Sequence, residues 1–210
     1  MKYKGIIFDL DGVICHTDHY HYQAWKKLAD RLGIYFDEEI NNRLRGVSRM
    51  ESLEIILERS DKKYTEKEKE AFATEKNETY KELLKQMTPK ELSLEVKDTL
   101  DQLRKRGIAL AIGSSSKNAG FILERLGLGD FFDAVSDGNH ISHSKPDPEV
   151  FLKAAEFLHL QASECLVVED AEAGLLAAKN GGMDSAAIGD AVKSDLPQYK
   201  LNTFSDLLKI

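Results

Sequence analysis

The stretch Lys4–Val13, KGIIFDLDGV, runs from a short apolar segment into two aspartates one residue apart and then a glycine. Gly5-Ile6-Ile7-Phe8 has the length and β-branched content of a buried strand and is too short for a helix. Asp9 therefore stands at a strand's C-terminal end, the edge of an open α/β sheet where ligands bind, and Gly12 lets the backbone turn just afterwards. Side chains alternate along a strand, which would put Asp9 and Asp11 on one face, but the glycine predicts that Asp11 already lies in the turn. An isolated Asp-Gly turn closing a core strand carries no chemistry of its own. The rest of the chain decides whether this one does.

The chain has 210 residues, 42% of them apolar, which suits one domain with an insertion or two small domains. A formal net charge of −7 argues against a nucleic-acid or membrane-surface partner, yet leaves room for an anionic substrate held by a few local cations. Cys15 and Cys165 make no disulfide framework and read as small, reduced, buried residues. Asp9 interrupts the first apolar run, so the N-terminus has no secretory pattern, and no run approaches the ~20 apolar residues of a spanning helix. The expectation is a cytoplasmic monomer.

From about His19 to Met87 the strand-like runs disappear. Tyr20, Ala24, Trp25, Leu28 and Leu32 recur at helical spacing before Gly33, and Ile40 with Leu44 marks a second, short helix. Ser48 with Glu51, and Thr65 with Glu68, match the capping-box pattern that opens a helix. The charged run Thr65–Gln86 reads as a helix with a solvated face. Beyond Pro89 a helix carrying Val96, Leu100 and Leu103 leads to the strand IALAIG (108–113), a helix around Phe121 to Leu126, the strand CLVVED (165–170), a helix from about Ala171 to Asn180, and the short strand SAAIG (185–189). Alternating strands and helices predict an α/β fold, a Rossmann-like parallel sheet covered on both faces. Residues 1–15 and 89–210 would form that core, with a helical cap of residues 16–88 inserted between its first two strands.

Three strands end in polar clusters, all expected on one sheet edge: Asp9 with Asp11, Ser114-Ser115-Ser116, and Glu169-Asp170. Before the last lies SKPDPEVF (144–151), where Lys145 precedes Pro146 and Asp147-Pro148 reads as an N-cap with proline at the first helical position. Convergent carboxylates bind a hard divalent cation, and Mg²⁺ suits a site with few carboxylates plus phosphate. The serines and Lys145 supply donors for phosphoryl oxygens, and a carboxylate beside them can attack phosphorus to give an aspartyl phosphate. Each piece alone is ordinary; their joint appearance at strand ends is not.

In this combination the chain resembles the haloacid dehalogenase superfamily of phosphotransferases along essentially its whole length. Its four motifs are matched by Asp9-Leu10-Asp11-Gly12-Val13, by Ser114, by Lys145-Pro146 and by Glu169-Asp170. The resemblance implies that Asp9 is the nucleophile and Asp11 the general acid/base. Ser114 and Lys145 would hold the transferring phosphoryl group, and Mg²⁺ would be bound by Asp9, the Asp11 carbonyl, Glu169 and Asp170. It also implies a mobile cap that closes over the site.

Within the superfamily the likeness is greatest to sugar-phosphate mutases, through YHYQAWKKLA (20–29), GVSR (46–49), EKN (75–77) and SSSKN (114–118). It implies that Gly46, Val47, Arg49, Ser52 and Lys76 contact a small-molecule sugar phosphate, with Trp25, Ser115 and Ser116 also at the substrate. Arg49, Lys117 and Asn118 would surround its distal phosphate, and Thr17 and His21 would position or tune Asp11. The activity implied is interconversion of β-glucose 1-phosphate and glucose 6-phosphate, the alternative a phosphatase on the same scaffold. Cys15-His16 replaces a usual Thr-Asp and Ser115 a common alanine. The chain after Gly189 is short, which predicts an abbreviated last strand and helix.

Overall fold

The computed structural model describes residues 2–44 and 47–210; Gly46 lies outside the described residues. Strand β1 (Gly5–Phe8) lies between β2 (Ala109–Gly113) and β4 (Cys165–Glu169) in a six-stranded parallel sheet. Next to β2 runs β3 (Ala134–Ser136), and next to β4 run β5 (Asp184–Ala187) and β6 (Tyr199–Lys200), giving the order β3-β2-β1-β4-β5-β6. Phe8 is level with both Ile112 and Val168. That register brings Asp9 and Glu169 out at one height on one edge, with Ser114 one residue further along.

The three central strands are buried on both sides, as a doubly covered parallel sheet requires. Ile6 and Phe8 face a core shared with Leu100 and Leu103 of α5 (Leu94–Lys105) and Ile122 and Leu123 of α6 (Ala119–Leu126). Ile7 points the other way, toward Phe151 and Ala154 of α7 (Glu149–Phe157) and Ala177 of α8 (Glu172–Asn180). This alternation follows the two-residue period of a strand. A Cβ on Gly113 would stand 2.6 Å from the Phe151 ring, so α7 packs against bare backbone there.

Between β1 and β2 lie helices α1 (Asp18–Leu32), α2 (Glu38–Asn42), α3 (Arg49–Leu57) and α4 (Glu66–Leu84). Trp25, Leu28, Ile34, Phe36, Leu53 and Ile56 form their own apolar cluster, whereas Tyr20, Ala24, Tyr80 and Leu84 join the sheet's larger core. Both expected capping boxes are made, Ser48 with Glu51 and Thr65 with Glu68. Arg125 of α6 donates to the Lys85 carbonyl at 2.8 Å, tying the end of α4 to the core.

Some local expectations shift. Strand β3 carries no sequence signal of its own. Helix α7 begins at Glu149, after rather than at Pro148, although Asp147 Oδ1 does accept from the Glu149 amide at 2.9 Å. The chain end is abbreviated as expected, β6 having two residues and the last helical turn spanning Phe204–Lys209. Among the described residues no helix is long and apolar enough to cross a membrane.

Candidate active site

Lys145 is only 1% exposed, yet its Nζ lies 2.5 Å from Asp9 Oδ1 and 2.6 Å from Glu169 Oε1. Burial alone would lower its pKa, but Asp9 and Glu169 outweigh that and raise it, keeping the ammonium charged. Burial, against the pull of Lys145, raises the pKa of Glu169. The other Glu169 oxygen accepts from the Asp170 and Ala171 amides at 2.9 and 3.0 Å, which fixes the carboxylate. Two glycines make room for the acids. A Cβ on Gly12, whose φ is +92°, would sit 2.1 Å from Asp170 Oδ2, and one on Gly174 would sit 1.9 Å from Glu169 Oε1.

Asp11 lies beyond the strand, in a turn closed by the Gly12 amide donating to the Cys15 carbonyl at 2.6 Å. Its carboxylate accepts a short hydrogen bond from the buried hydroxyl of Thr17. Burial, then the charge of Asp9, pushes the Asp11 pKa up to about 7 although Thr17 pulls it down. Cys15, in the turn that departs from the family pattern, is buried and its thiol is pushed up by burial, so it stays protonated. His21 turns to other partners: its Nδ1 is 2.9 Å from Lys76 Nζ and its ring stacks on Tyr80 at 4.1 Å. Burial, then Lys76 and Arg49, depresses its pKa well below the usual imidazole range.

Lys76 is 2% exposed, its Nζ 4.7 Å from the Trp25 ring and 4.5 Å from that of Tyr80, and burial, then Arg49, lowers its pKa well below the usual lysine range. Val47, Arg49, Ser52, Lys76 and Trp25 line one wall of a cleft of about 1190 Å³, and the carboxylates with Lys145 line its floor. Ser114 through Asn118 complete it. The Ser114 hydroxyl accepts from the Ser116 amide, and the Ser116 hydroxyl from the Asn118 amide, both at 3.2 Å, winding the loop tightly after β2. The structure thus brings together every candidate residue it describes, with Thr17 behind the wall and bonded to Asp11.

Residues 3–182 match the family of haloacid dehalogenase-like hydrolases. The chain belongs to that family. A β-phosphoglucomutase of Bacillus subtilis (strain 168) is 43% identical over 188 residues, spanning 89% of this chain and 83% of that enzyme. A fructose-1-phosphate phosphatase of Escherichia coli (strain K12) is 34% identical over 191 residues, spanning 89% of this chain and 97% of that one. The crystal structure of a β-phosphoglucomutase from Clostridium difficile matches with a TM-score of 0.92 at 38% identity, covering 98% of this chain and 93% of that one.

Members of the haloacid dehalogenase-like family imply a divalent metal, and the donor set fits one. Carboxylate oxygens of Asp9, Glu169 and Asp170 lie within 4.8 Å of one another, all hard ligands. Three residues of the site escaped the sequence reading. Tyr80, four positions after Lys76 and so on the same helix face, carries His21 and Lys76 on its ring, a spacing that could have revealed it. Gly174 left no signal beyond a glycine inside a helix. Asn77, which accepts from Asn118 Nδ2 at 3.0 Å, stands in the EKN segment, where only Lys76 was given a role.

Proposed function

We propose that this haloacid dehalogenase-family enzyme is a β-phosphoglucomutase, interconverting β-D-glucose 1-phosphate and D-glucose 6-phosphate through β-glucose 1,6-bisphosphate. The observation that carries this reading is one cleft lined by two sets of basic groups, or poles: Lys145 bonded to Asp9 and Glu169, and Arg49 of α3 with Lys117 of the loop after β2. A bisphosphate needs both poles at once. The 43% identity to the Bacillus subtilis β-phosphoglucomutase supports the same conclusion.

In this reading phosphorylated Asp9 donates its phosphoryl group to a sugar hydroxyl. A new oxygen–phosphorus bond forms, the Asp9 oxygen–phosphorus bond breaks, and Asp11 accepts the hydroxyl proton. The bisphosphate reorients, its other phosphate passes to Asp9, and Asp11 returns the proton to the freed oxygen. A carboxyl poised at about 7 can do both near neutrality. Lys145 and Ser114 hold the transferring oxygens, while Arg49, Lys117 and Asn118 grip the distal phosphate, arginine being shaped for two parallel hydrogen bonds. Mg²⁺, held by Asp9, Glu169, Asp170 and the Asp11 carbonyl, would supply the positive charge that lets three carboxylates and a phosphate share one site. Helices α1 to α4 would act as a cap that closes to exclude water.

A coupled assay on β-glucose 1-phosphate, with and without a trace of the 1,6-bisphosphate, tests this: glucose 6-phosphate should appear, and faster with the trace. Release of inorganic phosphate and glucose without glucose 6-phosphate would favour the second reading, a sugar-phosphate phosphatase. The likeness to the fructose-1-phosphate phosphatase, across 97% of that protein, supports that alternative.

A further inference from the structure

The loop Ser114–Asn118 does not stand alone. Beyond β3 the chain turns through Asp137-Gly138-Asn139-His140, and this turn meets the loop at three points. The Gly138 amide donates to the Ser116 carbonyl at 3.2 Å, and Asn139 Nδ2 donates to the Lys117 carbonyl at 3.1 Å. A Cβ on Gly138 would stand 2.5 Å from the Ser115 carbonyl oxygen and 3.0 Å from the Lys117 amide nitrogen. Gly138 has no left-handed φ, so its glycine serves close approach and not conformation. The turn is itself braced: buried Asp137 accepts from the Asn139 amide at 2.9 Å and from Asn139 Nδ2 at 3.1 Å, while His140 Nδ1 accepts from the Asp137 amide at 3.2 Å. The Ser114 amide is held separately, donating to the Ser136 carbonyl at 3.0 Å in the sheet, while its hydroxyl accepts from the Ser116 amide.

We propose that Asp137, Gly138 and Asn139 are positioning residues that hold Lys117 and Asn118 in place for the substrate's distal phosphate, leaving the phosphoryl-transfer end at Ser114 untouched. Two loop carbonyls are tied back to the turn, so the Lys117 and Asn118 side chains keep their place at the rim without help from the ligand. A pre-set loop lowers the ordering cost of binding. The inference rests on the mutase reading for the identity of the ligand, but the brace itself does not.

The test compares Asn139→Ala and Asn139→Asp in the full chain. Asn139 is exposed, so folding should survive. Aspartate keeps the shape but loses both Nδ2 donations, to the Lys117 carbonyl and to Asp137 Oδ2, and sets a second carboxylate beside that of Asp137. Both variants should show faster amide hydrogen exchange at residues 115–118 with Ser114 unchanged. The KM for β-glucose 1-phosphate should rise about fivefold, as expected for one neutral hydrogen bond. Hydrolysis of acetyl phosphate, which has no distal phosphate, should stay within about twofold of the unaltered protein. Unchanged exchange overturns the brace whatever the enzyme's activity. Faster exchange with an unmoved KM, or equal losses on both substrates, overturns the distal-phosphate role. If the unaltered protein does not isomerise β-glucose 1-phosphate, the mutase reading fails while exchange still decides the brace.

Discussion

Asp9 and Asp11 are the same chemical group two residues apart, and their surroundings divide the labour between them. Asp9 faces the Lys145 ammonium at 2.5 Å, which orients the oxygen that would attack phosphorus in the proposed reaction. Asp9→Asn should fold normally and lose phosphoryl transfer altogether, because an amide neither attacks phosphorus nor binds a cation well; retained phosphate incorporation in the variant would move the nucleophile elsewhere. Asp11 is pushed up to about 7, chiefly by burial and then by Asp9. Its proton is thus bound more tightly in the fold than in the unfolded chain, where an aspartate titrates near ~4. The cost of holding it is absent below about pH 4 and complete above about pH 7. Metal-free protein should therefore lose stability as pH rises through that window, and Asp11→Asn should flatten part of the slope in parallel thermal melts. Arg49 offers the sharpest separation of mutase from phosphatase. Arg49→Ala should lower mutase turnover by roughly two orders of magnitude, the equivalent of about 2–3 kcal/mol for a charge-assisted bidentate contact. Acetyl phosphate hydrolysis should change far less, and equal losses would count for the phosphatase.

At the scale of elements, α8 shows how packing reverses a local preference. Alanine normally improves a helix interior over glycine by about 1 kcal/mol. At Gly174 the added methyl would meet Glu169 Oε1 at 1.9 Å, so Gly174→Ala should lower the melting temperature and cut activity at least about tenfold, since Glu169 also bonds Lys145. An unchanged melting curve would show that α8 can slide away. The same elements mark what the sequence could and could not disclose. Strands β1, β2 and β4 are continuous apolar runs ending in polar residues, so the sheet edge and its acids were readable from spacing alone. The three residues of β3 and two of β6 offer no periodicity to detect. The Asn139 contact with Lys117 joins positions 22 residues apart across two strands, and Asn77 with Asn118 joins positions 41 apart. Such pairs leave no pattern in a single sequence.

For the whole molecule, the charge balance around Lys145 sets the dependence on metal. Asp9 and Glu169 share the Lys145 ammonium, with the Asp170 carboxylate within 4.8 Å of theirs, and a phosphate would add further negative charge. Turnover should stop in excess chelator and return with Mg²⁺; full activity under chelation would remove the metal from the reaction. The position of β1 has another consequence, for synthesis. Its neighbours in the sheet begin pairing at Ala109 and Cys165, both opposite Gly5. Strand β1 leaves the ribosome before both of its partners but finds its second flank only after some 160 further residues have been made. Non-local pairing of this kind folds slowly. A nascent chain stopped short of Cys165 should remain open to protease along Gly5–Phe8, whatever its helical insertion has already become, and gain protection only once β4 has emerged.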